Sequence, residues 1–487
     1  MQKIALFSFF LLISLSCNAQ TEVDKVNETV SKNDIEGHIY FLASDELKGR
    51  ETGTPEIDIA ASYLANSFRR YGVKPAGNGS YYQNVELEKI SKAKNLSISL
   101  NGTTSDKLIP VEVANTSFSG EAIYLNYGFE DDYKNKNVKG KLVIVKTGSA
   151  EKDDARSALG FGREKRKIAA KNGAIGLIEL SSANDGIWNR YAAFLGREKI
   201  GLKSDDKKFS HLWLQDTSGN ISKLINSSKK ITGKLNISGI VKKAIPSKNV
   251  VGMVEGTDPK LKDEFVIYSA HYDHIGIGKP NAKNDSIYNG ARDNAVGTVT
   301  VLSAAENIAK YPTKRSALFI LFTAEEKGLL GSKWYVEHPV IPLEQMVYCF
   351  NSDNGGYNDT SIATIVGLNR TTVGDHIKKA ASDFGLTAID DPAGEQGLFD
   401  RSDNVNFAKK GIPAPTFSLG FTAFDAEIGK YYHQAADNPD NLDYDYLEQF
   451  FKSYVMACRL IANDPKTPFW TEGDKYYEVG KKLYNKK

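Results

Sequence analysis

The stretch FVIYSAHYD, residues 265–273, contains the pattern that decides the fold. Its first six residues are apolar or small, which is typical of a strand that is buried on both faces of a sheet. The polar residues His271 and Asp273 follow immediately. Two later runs, ALFILF at 317–322 and MVYCF at 346–350, repeat this form, and polar residues follow each of them. We expect all three runs to be strands of one sheet.

Helices alternate with strands in this half of the chain. Residues 298–311 are predicted to be helical, and residues 415–419 to form a further strand. Because such alternation covers a sheet on both faces, the predicted fold class is α/β, with a mixed, mostly parallel central sheet flanked by helices. Residues 93–240 differ, because short β-type runs separated by turns dominate there. They indicate an inserted β-rich domain.

The composition is that of a soluble globular protein with more than one domain. The chain has 487 residues, and 41% of them are hydrophobic. Lys and Arg together number 62 and Asp and Glu 60, which gives a net charge of +2. This balance gives no reason to expect nucleic acid or an anionic membrane surface as a partner. The sequence predicts no particular oligomeric state.

The first residues, 1–19, are predicted to be a signal peptide. Lys3 supplies the positive charge, and the apolar stretch 4–16 is too short to span a bilayer as a mature helix. Gln20 is the predicted new N-terminus. Secretion, or export to the periplasm, is therefore predicted, and no other segment is apolar and long enough to cross a membrane. The alternative is a lipid anchor at Cys17, although the residues before it fit a lipidation signal poorly.

Two cysteines remain after cleavage, Cys349 and Cys458. Their positions in the sequence do not decide whether they pair. The sequence has no Cys-x-x-Cys motif. A metal site in this chain therefore has to use histidine and carboxylate side chains.

Candidate metal ligands follow the three central strands. His271 follows the first strand, Glu325 and Glu326 follow the second, and Asp353 follows the third. In open α/β sheets, ligands bind outside the carboxyl ends of the strands. Three separate strands are thus expected to deliver metal-type side chains to one edge of the sheet.

Each candidate also has an ordinary explanation. Asp293 precedes a helix and would serve as its cap, and His433 would be a surface residue. His271 would be a hydrogen-bonded histidine, and a carboxylate such as Asp273 could orient its ring. One shared site explains these residues together better than separate roles do.

A pair of divalent ions requires the residue types that this set supplies. Two neighbouring ions need a bridging carboxylate, with one histidine and one further carboxylate each. Glu325 is the predicted general base, which accepts a proton from water between the ions and later protonates the leaving amine. Two Zn2+ per chain are the predicted cofactors, and other divalent ions also suit carboxylate-rich sites. The predicted ligands are Asp293 as the bridge, His271 and Asp353 at one ion, and Glu326 and His433 at the other.

These residues lie in motifs that resemble peptidase family M28, the aminopeptidases and carboxypeptidases with co-catalytic zinc. The order and spacing of the motifs both match. The resemblance implies the zinc exopeptidase fold, the same five ligands and the same base, with Asp273 supporting His271. It also implies that the Tyr432 hydroxyl stabilises the tetrahedral oxyanion. The matching strings are SAHYDH (269–274), GARDN (290–294), TAEEKG (323–328), NSD (351–353) and YH (432–433).

The resemblance extends over most of the chain. Residues 42–50 look like the N-terminal segment of exported members, and residues 115–240 look like a protease-associated (PA) domain. In members with this insert, the segments on both sides of it form the peptidase domain. The implied domains are a discontinuous peptidase domain of residues 20–105 and 245–487 and a PA insert of residues 106–244.

Three departures from the family pattern concern the surroundings of the site. Arg292 stands where Asp is common, and Asn404 stands where a pocket motif commonly ends in His. Phe399, Arg401 and Asn404 are the candidate substrate-pocket residues. The glycines in NGG, residues 354–356, are expected to reshape the pocket beside the metals.

The predicted function is that of a secreted dinuclear zinc metallopeptidase. It would remove N-terminal residues from peptides, with a metal-bridged hydroxide as the nucleophile. A carboxypeptidase of the same family is one alternative, since Arg292 or Arg401 could bind a substrate carboxylate. A glutaminyl cyclase-like transferase and an inactive receptor-like binding protein are the others, and the complete ligand set argues against both.

Overall fold

The computed structural model describes residues 20–485 except residues 153 and 205–208. The predicted signal peptide, with Cys17, lies outside the described residues. The chain divides into two compact units, one of residues up to Val85 together with Ser247–Lys487, and one of Glu86–Pro246. The second unit begins at Glu86 rather than at residue 106, because residues 95–100 pair with a strand of that unit. Its identity as a PA domain stays a prediction.

The helices and strands of the described residues have the following bounds. The helices are α1 (Glu22–Thr29), α2 (Lys32–Leu42), α3 (Pro55–Tyr71), α4 (Ala155–Lys171), α5 (Asp185–Leu195), α6 (Asn220–Ser227), α7 (Gly297–Lys310), α8 (Leu330–Glu337), α9 (Gly374–Asp383), α10 (Asn404–Lys410), α11 (Ala426–Gly429), α12 (Tyr444–Asn463) and α13 (Tyr477–Leu483). The strands are β1 (Lys74–Pro75), β2 (Tyr82–Ile90), β3 (Asn95–Leu100), β4 (Thr103–Ser105), β5 (Leu108–Glu112), β6 (Thr116–Tyr124), β7 (Leu142–Lys146), β8 (Gly176–Ser181), β9 (Lys199–Leu202), β10 (Ser210–Gln215), β11 (Ile231–Ser238), β12 (Lys242–Val254), β13 (Phe265–His271), β14 (Gly276–Ile277), β15 (Ile287–Tyr288), β16 (Ser316–Phe322), β17 (Met346–Ser352), β18 (Ile362–Val366), β19 (Thr387–Asp390) and β20 (Thr416–Leu419).

The sheet of the larger unit is mixed, with parallel strands at its centre. Across the sheet it includes β19, β18, β20, β17, β13, β16 and β12, in that order. Strand β13 runs parallel to both β16 and β17, and β17 runs parallel to β20. Strands β12 and β18 run antiparallel to β16 and β20. The predicted α/β fold with a mixed, mostly parallel sheet is confirmed.

The central strands are buried on both faces, as their apolar runs predict. Side chains alternate between the two faces of a strand. Tyr268 of β13 joins a core cluster with residues of α3, α7 and α12. Its neighbour Ile267 joins a second cluster with residues of α8 and α10 and with Trp470. Both cysteines are buried and free, so the possible Cys349–Cys458 disulfide is not formed.

The smaller unit contains a separate sheet, in the order β4, β3, β11, β6, β7, β8, β10 and β5. Its strands β6, β7, β8 and β10 are parallel. A buried ion cluster lies among these strands and α4. There, Glu179 Oε2 lies 2.9 Å from Lys165 Nζ, and Glu179 Oε1 lies 2.7 Å from His211 Nε2. No helix among the described residues of the chain is long and apolar enough to cross a membrane.

Candidate metal centre and active site

The sheet brings the ends of three strands together. His271 is the last residue of β13, Asp353 directly follows β17, and Glu326 lies in the turn after β16. Since β13 pairs in parallel with both neighbours, these three residues lie at the same edge. Asp293 precedes α7, and His433 lies in the segment after α11.

The first group of ligand atoms consists of His271, Asp293 and Asp353. His271 Nε2 lies 3.2 Å from Asp353 Oδ1 and 3.4 Å from Asp293 Oδ1. Ligand atoms at 2.0–2.2 Å from one tetrahedral zinc ion stand about 3.4 Å apart. The three side chains are therefore spaced as ligands of one ion would be, and they form a candidate metal group.

The second group shares Asp293 with the first. His433 Nε2 lies 3.1 Å from Asp293 Oδ2 and 3.5 Å from Glu326 Oε1. The two oxygens of Asp293 thus face two different histidines, because Oδ1 faces His271 and Oδ2 faces His433. This is the arrangement that a bridging carboxylate requires. All five predicted ligands are therefore brought together.

A third histidine, His274, lies in the same site. Its Nδ1 is 2.9 Å from Glu326 Oε1 and 3.9 Å from Asp293 Oδ1, and His274, Asp293 and Glu326 form a further candidate metal group. A Cβ at residue 290 would lie 2.6 Å from the His274 ring, so Gly290 leaves room for it. His274 was not predicted as a separate site residue. Its position three residues after His271 was the available signal.

Unpartnered buried atoms fit the presence of a cation. Both ring nitrogens of His274 and Oε1 of Glu326 are buried without a hydrogen-bond partner. Nδ1 and Oε1 are close but do not meet at a hydrogen-bonding angle, as expected of two atoms directed at a common ion. A buried polar atom left unsatisfied costs about 1–3 kcal/mol. Imidazole nitrogen and carboxylate oxygen are ligands that zinc accepts.

Asp273 supports the site in two ways. Its main-chain carbonyl oxygen lies 3.1 Å from His271 Nδ1, whereas its carboxylate is 3.9 Å from that atom. The predicted support of the imidazole thus comes from the main chain. The carboxylate instead accepts the main-chain N–H groups of Glu325 at 3.1 Å and Glu326 at 3.3 Å. Burial raises the pKa of this carboxyl group.

Asp437 supports Asp293 from the other side, and this role was not predicted from the sequence. Its carboxylate accepts the main-chain N–H groups of Arg292 at 3.0 Å and of Asp293 at 3.1 Å. It also pairs with Arg292 Nη1 at 3.1 Å. The buried guanidinium lies 3.8 Å from the centroid of the Tyr431 ring, and Nη2 donates to the carbonyl oxygen of Asn441. Arg292 is thus a structural residue and is not available to a substrate carboxylate.

Glu325, the predicted base, is half-buried beside the ligands. Burial raises the pKa of its carboxyl group well above the usual value, and His271 opposes this shift. Asp353 and Asp403 raise the pKa further. Glu325 is therefore within electrostatic reach of the first group of ligands, while its main-chain N–H is held by Asp273.

Tyr432 stands at the rim of the site. Its ring stacks on that of His433 with centroids 4.1 Å apart, and its hydroxyl lies 3.3 Å from Arg401 Nη2. Burial raises the pKa of this hydroxyl, and Arg401 opposes the shift. A Cβ at residue 355 would lie 3.0 Å from the Tyr432 ring, so Gly355 gives the ring its space. The unusual glycine after Asp353 thus shapes the pocket rim.

Two of the three predicted pocket residues are core residues. Phe399 is buried in the second core cluster, and the guanidinium of Arg370 lies 3.7 Å from its ring centroid. Asn404 is fully buried, and its Nδ2 donates to the carbonyl oxygen of Ala414. Both side chains are buried within the fold, and their pocket role stays a prediction. Arg401 remains exposed beside Tyr432.

Residues 249–457 match the model of peptidase family M28. This part of the chain is therefore similar to peptidase family M28. The matched residues include all five predicted ligands and Glu325.

The chain is also similar to several curated proteins and to a solved structure. Aminopeptidase YwaD of Bacillus subtilis is 27% identical over 228 residues, which cover 46% of each protein. The probable leucine aminopeptidase 2 of Aspergillus oryzae is 24% identical over 382 residues, which are 70% of this chain and 67% of that protein. The chain thus spans about half the length of the first relative. Among solved structures, the aminopeptidase from Aneurinibacillus sp. strain AM-1 aligns with a TM-score of 0.58 at 21% sequence identity. The alignment covers 91% of this chain and 97% of that protein, which establishes a shared fold.

Proposed function

We propose that this protein is an exported dinuclear zinc aminopeptidase, which removes N-terminal residues from peptides. One observation carries the proposal. The two oxygens of Asp293 lie 3.4 Å from His271 Nε2 and 3.1 Å from His433 Nε2, as a carboxylate shared by two ions would. The relatives named as aminopeptidases support the direction of trimming.

The ligand groups would hold two zinc ions, with Asp293 as the common ligand. His271 and Asp353 complete one group, and Glu326 and His433 complete the other. When bound, the ions would polarise the scissile carbonyl and lower the pKa of a water molecule between them toward neutrality. The proposed ligands are histidine and carboxylate side chains, which supply the nitrogen and oxygen atoms that zinc binds in catalytic sites.

The remaining steps of the proposed reaction are carried out by side chains of the protein itself. Glu325 takes the proton of the attacking water and gives it to the leaving amine. Its place beside the ligand Glu326, in a turn held by the carboxylate of Asp273, keeps it next to the site. Tyr432, stacked on His433, donates a hydrogen bond from its hydroxyl to the carbonyl oxygen that becomes negative.

Trimming from the C-terminus is the second candidate, and Arg401 favours it. An exposed guanidinium beside the site can bind the terminal carboxylate of a peptide. Arg292, the other predicted source of positive charge, is buried against Asp437. The relatives named above instead favour the N-terminus.

The test uses the purified protein, its zinc content and a set of peptides blocked at either end. We expect about two zinc ions per chain and release of amino acids from free N-termini, with loss of activity on chelation. Glu325→Gln should keep its zinc but lose activity about 10²–10⁴-fold, because only the base is removed. Glu344→Gln, the same change at an exposed position, is the matched control.

The outcomes separate the parts of the proposal. Full activity of Glu325→Gln would rule out its role as base. Cleavage of peptides with a blocked N-terminus but not of those with a blocked C-terminus would establish a carboxypeptidase. Absence of hydrolysis with zinc bound would overturn the enzyme assignment.

A further inference from the structure

We propose that Arg50 is a positioning residue of the metal centre. Its buried guanidinium ties the main chain beside His271 to the main chain that leads into Asp293, and so fixes the spacing at which these two ligands would bind one zinc ion. This inference rests on the proposed dinuclear zinc site and names a residue outside the ligand set that sets its geometry. Arg50 acts through main-chain carbonyl groups and is not itself a ligand.

The first argument is the pair of segments that the guanidinium joins. Arg50 Nε donates to the carbonyl oxygen of Tyr272 at 2.8 Å, and Nη2 donates to that of Gly290 at 3.0 Å. Tyr272 directly follows His271, and Gly290 lies in the segment that leads into Asp293. The two ligand atoms, His271 Nε2 and Asp293 Oδ1, are 3.4 Å apart. One planar, rigid group thus connects the main chain next to both ligands.

The second argument is the burial of this charge without a contacting carboxylate. Arg50 is 1% exposed, and its Nη1 donates to the carbonyl oxygens of Asn289, at 2.6 Å, and of Leu42. Four of the five N–H groups of the guanidinium therefore meet main-chain oxygens. A charged side chain is seldom fully buried without an ion-pair partner. Burial lowers the pKa of the guanidinium to about 10, and Asp273 and Asp293 oppose this shift, so carboxylates of the site offset its charge.

The third argument is the backbone conformation around Arg50. Three consecutive residues, Lys48, Gly49 and Arg50, have positive φ angles of 44°, 70° and 51°. A Cβ at residue 49 would lie 2.2 Å from the carbonyl oxygen of Tyr288, so this position requires glycine. Residues other than glycine rarely adopt such angles, and where they do, the strain is concentrated at functional sites. The strained turn places the Arg50 side chain in the interior.

The residues next to Arg50 support the same ligand segment. The main-chain N–H of His274 donates to the carbonyl oxygen of Arg50 at 3.3 Å. Thr52 Oγ1 donates to Asp273 Oδ2 at 3.0 Å. Together with the guanidinium, these contacts reach each residue from 272 to 274. Arg50 adds the link from this segment to the one that carries Asp293.

The experiment measures zinc binding to the purified protein by competition with a chromophoric chelator, which requires no peptidase activity. Arg50→Lys keeps the positive charge, but one ammonium group lacks the planar fork that joins the Tyr272 and Gly290 carbonyls. We expect zinc affinity to fall about 10–100-fold, as is usual when a group that orients a metal ligand is lost. Asn289→Ala is a milder second variant, which tests the same main chain also if Arg50→Lys does not fold. It removes the hydrogen bond from Asn289 Nδ2 to Asp45 Oδ1, 2.8 Å long, and should cause a smaller loss of affinity.

Two ligand variants separate a positioning role from a general loss of stability. In His433→Ala, the first group of ligands remains complete, and Arg50→Lys should keep its full effect on the affinity for the zinc that still binds. In His271→Ala, the effect of Arg50→Lys should be much smaller, because the ligand that it positions is gone. An equal effect in both backgrounds would overturn the proposal.

Arg315→Lys is the matched control. Arg315 is also fully buried and pairs with Glu264 at 2.7 Å, but it precedes β16, whereas the ligand Glu326 follows that strand. Its replacement should lower the free energy of unfolding in urea and leave zinc affinity unchanged. Unchanged zinc affinity in Arg50→Lys, or in Asn289→Ala, would overturn the proposal even if the variant is less stable. If the unmodified protein bound no zinc, the proposed function would fail, and this inference with it.

Discussion

Replacement of Asp437 by asparagine tests whether this buried carboxylate holds the segment that presents Asp293. The carboxylate accepts main-chain N–H groups of Arg292 and Asp293 at 3.0–3.1 Å and pairs with the Arg292 guanidinium at 3.1 Å. Asparagine keeps the shape and one acceptor oxygen, but it removes the negative charge. A buried guanidinium without its counter-charge costs about 3–5 kcal/mol. Because Arg292 keeps its hydrogen bond to the Asn441 carbonyl, we expect the lower end, about 3 kcal/mol.

The loss of free energy of unfolding is measured by urea denaturation of the metal-free protein. Zinc affinity, measured by competition with a chromophoric chelator, should fall about 10–100-fold, as is usual when a partner of a metal ligand is lost. Asp425→Asn is the control, since Asp425 is an exposed helix cap and asparagine caps equally well. Equal stability and equal zinc affinity of Asp437→Asn and this control would refute the reasoning.

Three further substitutions test other parts of the structure. His274→Asn should lower zinc affinity about 10–100-fold in the same competition assay, because Nδ1 of His274 lies 2.9 Å from Oε1 of Glu326. Unchanged affinity would exclude a role of His274 at the metal. Gly355→Ala should lower kcat with zinc content unchanged, because the new Cβ would lie 3.0 Å from the ring of the proposed oxyanion donor; an unaltered kcat would contradict this. Glu179→Gln should destabilise the smaller unit by about 3 kcal/mol in urea denaturation, because it leaves the Lys165 ammonium buried without a counter-charge; a loss below 1 kcal/mol would argue against this ion pair.

The sequence was sufficient to predict features that depend on residues close together in the chain. The strands β13, β16 and β17 are apolar runs because both of their faces are covered. Such runs can be recognised from the sequence alone. Polar residues directly after such strands have to lie at one sheet edge, which is why the candidate ligands could be grouped before any distance was known.

The sequence was insufficient where a partner is distant along the chain. Asp437 lies 144 residues after Asp293, and no local pattern links them. Arg292 was predicted as a possible substrate contact because an isolated arginine next to a ligand has no visible partner in the sequence. The burial of Phe399 and Asn404 was not predicted for the same reason, since burial depends on the segments that pack over a residue. The start of the smaller unit was placed late because the pairing of β3 with β11 is also distant.

Two of the three ligand segments outside β13 and β17, those of Glu326 and Asp293, are held in the same way. Asp273 accepts the consecutive main-chain N–H groups of residues 325 and 326, and Asp437 accepts those of residues 292 and 293. In each pair, the second residue is a proposed metal ligand. Both carboxylates are fully buried, where a charge-assisted hydrogen bond is stronger than in water. The main chain beneath Glu326 and Asp293 is therefore positioned by buried carboxylates of the fold.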